Sequence, residues 1–244
     1  MIAAARTLAL AGIAAGGLAF APGPGEARAA QTVAAPNPSH SWSATVIAPT
    51  TARRAPRRSG RRLMTLQPVA PLGRGPQVLL VRRTYRDRDG RLWVSLQLPI
   101  RPNGRQGWVP ADTLRFRRNP IRVAINQKRR TLTVFRNNRR LYRLDVAVGA
   151  AATPTPAGRF AVAEFIRTHT PGSFIGPIVF PLTGYSRVLN EYAGGNGRVA
   201  VHGTSVPGLI GTRASHGCIR LRNSDVIRLS RLLRPGTPVV INSP

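Results

Sequence analysis

IRVAINQKRRTLTVFRNNRRLYRLDVAV, residues 121–148, alternates apolar and polar positions through three successive runs. Ile121, Val123 and Ile125 fall on one side of the first run, Leu132 and Val134 on one side of the second. A period of two marks a half-buried strand, because successive side chains of an extended chain point to opposite faces. Ile121–Asn126, Thr131–Arg136 and Leu141–Val148 are therefore expected as strands, with turns at Asn126–Arg130 and Asn137-Asn138. The same texture continues downstream at Arg159–Ile166, Pro177–Leu182 and Arg198–His202, and closes at Val239-Val240-Ile241. One helix is expected, Ser224–Leu233. Asn223 or Ser224 is placed to cap it, Asp225 lies in its first turn, and Val226, Ile227, Leu229, Leu232 and Leu233 share a face before Pro235-Gly236. Residues 120–244 thus read as a mostly β domain with one main helix.

Upstream, Val78–Val81 and Leu92–Leu96 are strand candidates flanking Asp87-Arg88-Asp89-Gly90, a turn with Asp-Gly hairpin chemistry. Pro102-Asn103-Gly104 turns the chain again before Gln106-Gly107-Trp108-Val109. Several short strands in residues 63–119 suit a small barrel. Trp93 and Trp108 read as core or rim packing more readily than as a ligand face. Residues 30–62, rich in Ala, Pro, Ser and Thr and then in the pairs Arg53-Arg54, Arg57-Arg58 and Arg61-Arg62, read as an Arg/Pro-rich linker that does not order itself. Residues 1–29 have the layout of a secretory signal peptide. A basic start leads to an apolar Thr7–Phe20, a Pro22–Gly25 break and the small-x-small site Ala27-Arg28-Ala29. The expected location is exported: cell wall, periplasmic space or extracellular.

The 244 residues carry 37 basic against 8 acidic side chains, a net charge of +29, and a single lysine, Lys128. Such a balance calls for an anionic surrounding or partner. Export favours acidic cell-wall polymers over nucleic acid, and 6% aromatics supply no clear base-stacking motif. An apolar share of 42% argues against wholesale disorder. One cysteine excludes an internal disulfide framework and a Cys-rich zinc module.

The chemistry lies between Val201 and Arg222, in Val201-His202-Gly203-Thr204 and Ser215-His216-Gly217-Cys218-Ile219-Arg220, which hold the only cysteine and two of four histidines. A thiol attacks as thiolate, so Cys218 needs a base, and His202 and His216 are both candidates. His202, from a neighbouring strand, approaches the sulfur more directly than His216, two residues away on the same backbone. Gly203 and Gly217 permit close backbone approach, and amides around Gly217 and Cys218 form a candidate oxyanion hole. Arg213, Arg220 and Arg222 raise the local potential. Without nearby carboxylates before Asp225, a metal site is not expected.

His202-Gly203-Thr204, Ile210-Gly211 and Ser215-His216-Gly217-Cys218-Ile219-Arg220-Leu221 together closely resemble the signature of L,D-transpeptidases with a YkuD-like catalytic domain. Val148-Gly149 and Thr153-Pro154-Thr155-Pro156-Ala157-Gly158-Arg159-Phe160 extend the likeness upstream, and Gly236-Thr237-Pro238-Val239 downstream. Trp93–Leu98, Pro102-Asn103-Gly104 and Gly107-Trp108-Val109 are similar to a bacterial SH3-like module. The resemblance implies a β-sandwich-like catalytic fold after an SH3-like barrel. It implies Cys218 as nucleophile, His202 as its base, and Ser215, His216, Gly217, Gly203 and Arg220 as residues shaping the site and holding substrate. The implied reaction is 3→3 crosslinking of peptidoglycan stem peptides through a Cys218 thioester with release of D-Ala. No cofactor is needed, and carbapenem-type β-lactams are the implied inhibitors. The segment His169–Tyr192 would lie over the substrate groove. Two alternatives stay open: a cysteine hydrolase (L,D-carboxypeptidase) of wall peptides, and a non-catalytic basic wall-binding protein.

Overall fold

The first strand begins at Ser41, inside the stretch expected as linker. The computed structural model describes residues 40–170, 172–191 and 194–243, so the expected signal peptide and the first part of the expected linker lie outside the described residues. Strands β1 (Ser41–Val46), β2 (Thr50–Arg53), β3 (Arg62–Leu66), β4 (Val78–Arg86), β5 (Leu92–Gln97), β6 (Gln106–Pro110) and β7 (Leu114–Asn119) form one sheet in the order β3-β2-β6-β5-β4-β1-β7. The sheet expected as a small barrel is not closed: β3 and β7 stand at its two ends. The linker expectation for residues 41–62 is also corrected. Averaged composition concealed the period of two in SWSATV and TTAR, which buries Ala44, Val46 and Ala52 beside Leu79, Val94 and Val109. Arg54, Arg57 and Arg58 occupy the connection between β2 and β3, where their charges stay in water.

The second lobe contains β8 (Ile121–Asn126), β9 (Thr131–Arg136), β10 (Arg139–Asp145), β11 (Gly158–Ala161), β12 (Ile166–Arg167), β13 (Ile178–Tyr185), β14 (Arg198–His202), β15 (Ile219–Arg220), α1 (Asn223–Ser230) and β16 (Pro238–Ile241). One sheet runs β10-β9-β8-β16-β11, the other β12-β13-β14-β15. Ile125, Leu132 and Val134 from the first share a single core with Phe180, Leu182, Val201 and Ile219 from the second, closed by Val226 and Leu229 of α1. Each such side chain contributes roughly 1.5–3 kcal/mol by leaving water. The helix starts at Asn223 and ends at Ser230, against the expected Ser224–Leu233. Arg222 precedes it without a side-chain cap, and Ile227 is exposed because Val226, Leu229 and Leu233 form the buried stripe. The single strand expected over Arg159–Ile166 is two, since Ala163 and Glu164 both donate to the Pro181 carbonyl and break the ladder.

The lobes meet through polar contacts as well as packing. Glu164 Oε2 accepts from the amides of Leu72 (2.9 Å) and Gly73 (2.7 Å), while Oε1 pairs with Arg198 (3.1 Å). Asn103 and Tyr185 exchange two hydrogen bonds of 2.8 Å, and Gln97 Nε2 donates to the Arg159 carbonyl at 2.6 Å. Arg101 donates to the carbonyls of Ser186 (2.7 Å) and Leu189 (3.0 Å). These bonds grip β13 and the N-terminal end of β14, the strand that carries His202.

Candidate active site

Strands β14 and β15 are parallel, with Val201 opposite Ile219 and His202 opposite Arg220. Continuing that register sets Cys218 opposite Ala200. Aligned residues share a face, so Ala200, His202, Cys218 and Arg220 project to one side of the sheet. Diagonal neighbours on adjacent strands stand about 7–8 Å apart at Cα, within reach of an imidazole and a thiol. The sequence pattern named these residues; the parallel pairing is what brings them together.

His202 is 3% exposed, and its Nδ1 lies 2.6 Å from the Gly203 carbonyl oxygen. A carbonyl only accepts, so this contact assigns the proton to Nδ1 and the lone pair to Nε2. Burial pushes the His202 pKa down to about 4. Hydrogen bonds to the Gly203 and Ile175 backbones pull it up, and the Arg220 charge adds to the fall. The ring is therefore neutral at physiological pH. Burial likewise pushes the half-buried Cys218 thiol up, against a backbone hydrogen bond from Ala200 and the Arg220 charge, which lower it. At physiological pH His202 thus rests as a neutral imidazole and Cys218 as a neutral thiol.

The turn before Cys218 is held from three sides. Ser215 is buried, its Oγ donates to the Cys218 carbonyl at 2.5 Å, and it accepts the Gly217 amide at 3.2 Å. Gly217 has φ +108°, a left-handed conformation that a side chain would strain. Thr153 Oγ1 donates to the Ser215 carbonyl, and Ser215 itself bonds to Val148. Thr155 Oγ1 accepts the Gly149 amide at 2.8 Å, so the Thr153–Thr155 loop folds against the cysteine turn. His216 is exposed on this turn, unlike the buried His202.

Arg220 is the one arginine of Arg213, Arg220 and Arg222 drawn inside; the other two are exposed. Its residue surface is 4% exposed, its Nε has no hydrogen-bond partner, and its guanidinium lies 4.7 Å from the centre of the Phe174 ring. No carboxylate among the described residues pairs with it. The expected covering segment His169–Tyr192 is not one loop, because β13 runs through its middle as a fully buried strand. The part before β13 reaches the site, through Phe174, Ile175 and Gly176. A Cβ on Gly176 would meet Gly203 and Asn223 Oδ1. Asn223 Oδ1 also accepts the Thr204 amide at 2.9 Å. Gly176 and this use of Asn223 were not foreseen; a glycine between Ile175 and Pro177 was the only signal.

Known proteins place the chain. YkuD of Bacillus subtilis (strain 168), whose name carries an L,D-transpeptidase assignment provisionally, is 36% identical over 123 residues, covering 50% of this chain and 66% of that protein. YqjB of the same organism, named likewise, is 29% identical over 129 residues, 49% of this chain and 69% of that protein. The match thus spans about two thirds of these relatives. The crystal structure of L,D-transpeptidase 3 from Mycobacterium tuberculosis with a faropenem-derived adduct has a TM-score of 0.43 at 14% identity, covering 63% of this chain and 91% of that one. Residues 120–241, half of the chain, match the YkuD model, described as the L,D-transpeptidase catalytic domain, and the chain belongs to that family.

Proposed function

We propose that this chain is a peptidoglycan L,D-transpeptidase that forms 3→3 crosslinks by two-step acyl transfer at Cys218. The observation that carries the reading is the Nδ1 bond of buried His202 to Gly203, which leaves Nε2 as a base on the face shared with Cys218. Because both groups rest neutral, the thiol proton passes to Nε2 as sulfur attacks the carbonyl of the third stem residue, rather than beforehand. The developing oxyanion is held by the Cys218 amide, since the Gly217 amide is already donated to Ser215. The tetrahedral intermediate collapses with loss of D-Ala, whose amine takes the proton from His202, and a thioester remains. An amine from a second stem then attacks that thioester, His202 accepts its proton, and the Cys218 thiol is restored.

Arg220 offers a buried guanidinium fork to a substrate carboxylate beside the reacting carbonyl, and its charge favours the thiolate as it forms. Carbapenem-type β-lactams acylate the same sulfur. The test is mass spectrometry after incubating the chain with a disaccharide–tetrapeptide containing diaminopimelate, beside Cys218→Ala. A dimer lighter than two substrates by one D-Ala, absent in the variant, supports transpeptidation. Tripeptide without dimer replaces it with the carboxypeptidase reading. No product and no carbapenem adduct from folded protein refutes the role of Cys218.

A further inference from the structure

A groove of about 650 Å³ opens where the two lobes and the end of α1 meet, away from any residue assigned above to catalysis. Arg117, Arg118, Arg136, Arg231 and Arg234 line it over a floor that includes Val78 and Leu232. They come from β7, from the end of β9 and from the segment after α1, so the concavity exists only in the assembled structure. Its lining contains neither an acidic nor an aromatic residue. Arg117, Arg118, Arg136 and Arg231 are exposed and make no side-chain hydrogen bond or ion pair among the described residues. Arg234 is already fixed: it donates to the carbonyls of Ser230 (2.7 Å) and Leu233 (2.8 Å) at the end of the helix.

Guanidinium groups gathered around one concavity repel one another, and a polyanion laid along it relieves that repulsion while gaining charge-assisted hydrogen bonds. The absence of an aromatic side chain removes the stacking platform on which single-stranded nucleic acids depend. We propose that this groove binds a linear polyol-phosphate polymer, a chain of phosphodiesters without bases. The inference stands apart from the catalytic reading, because it concerns binding alone.

The probe is fluorescently labelled poly(glycerol phosphate), titrated with the full chain by anisotropy at 50 and 200 mM salt. With three phosphates neutralised, by Arg117, Arg136 and Arg231 (Arg118 follows Arg117 on β7 and points to the other face), at about 0.7 each in the salt slope, affinity falls about 20-fold between those concentrations. Arg117→Glu/Arg136→Glu is expected to weaken binding at least about tenfold more than Arg57→Glu/Arg58→Glu, an equal charge change on an exposed connection outside the groove. Both variants should keep the wild-type melting temperature and the wild-type turnover of soluble tetrapeptide. Equal weakening by the two double variants overturns the proposal, since binding would then follow net charge alone. Groove-dependent binding of single-stranded DNA or poly-glutamate as tight as that of the polyol phosphate overturns the chosen ligand.

Discussion

Replacing Glu164 by Ala tests whether the two lobes are one mechanical unit. The carboxylate is 4% exposed and its partner Arg198 10% exposed, so the pair sits in a setting where water screens little. The substitution strands the Arg198 guanidinium and leaves two backbone amides, of Leu72 and Gly73, without their acceptor. Breaking a buried ion pair from one side costs about 3–5 kcal/mol, chiefly because the remaining charge stays buried. Leu72 is exposed and Gly73 partly exposed, so water takes over the two freed amides and the loss stays within that range. A fall of about 4 kcal/mol in unfolding free energy is expected from urea titration of the full chain at pH 7, followed by far-UV circular dichroism. Arg198→Met on the Glu164→Ala background should recover at least about 1 kcal/mol of it by removing the stranded charge. A loss below about 1 kcal/mol from Glu164→Ala, or no recovery in the double variant, would refute the reasoning.

Three further outcomes follow from the site. Arg220→Lys keeps the charge but not the planar fork, so the KM for a tetrapeptide stem should rise about 10- to 100-fold with the melting temperature little changed; unchanged kcat/KM would rule out carboxylate recognition. Alkylation of Cys218 by iodoacetamide in the free protein should keep accelerating beyond pH 9, because burial raises the thiol and the neutral His202 does not ionise it; a plateau by pH 7 would indicate a preformed thiolate–imidazolium pair. The folded His202 titrates near 4 while the unfolded imidazole titrates near 6.5, so stability is full above pH 6.5 and declines as pH falls toward 4. The loss reaches about 3 kcal/mol at pH 4, and His202→Gln should flatten that part of the pH profile measured by urea titration.

Much of this molecule is legible in the order of its residues. Strands β8, β9 and β14 begin and end where alternation says they do, since a half-buried strand must repeat its apolar side chains every second position. The Cys218 and His202 motifs are equally local, because a turn through Gly217 and a strand end before Gly203 each write their requirement into a few adjacent residues. Averaging was the weakness upstream. Counting Arg and Pro over residues 30–62 hid the two short buried stripes of β1 and β2, whose partners lie far along the chain, β1 against β7 and β4. The choice between His202 and His216 as the buried imidazole rested on pairing. A parallel ladder between β14 and β15 turns His202 inward, and no periodicity announces which distant strand a segment will join. Glu164 reads as one more scattered acid until the fold sets it against the Leu72-Gly73 backbone, and the arginines around the groove as undirected charge. Local rules write secondary structure and turns into neighbouring residues. Burial, ion pairing and the shift of an imidazole to about 4 depend on what surrounds a group in space, and that is set when the sheets pack.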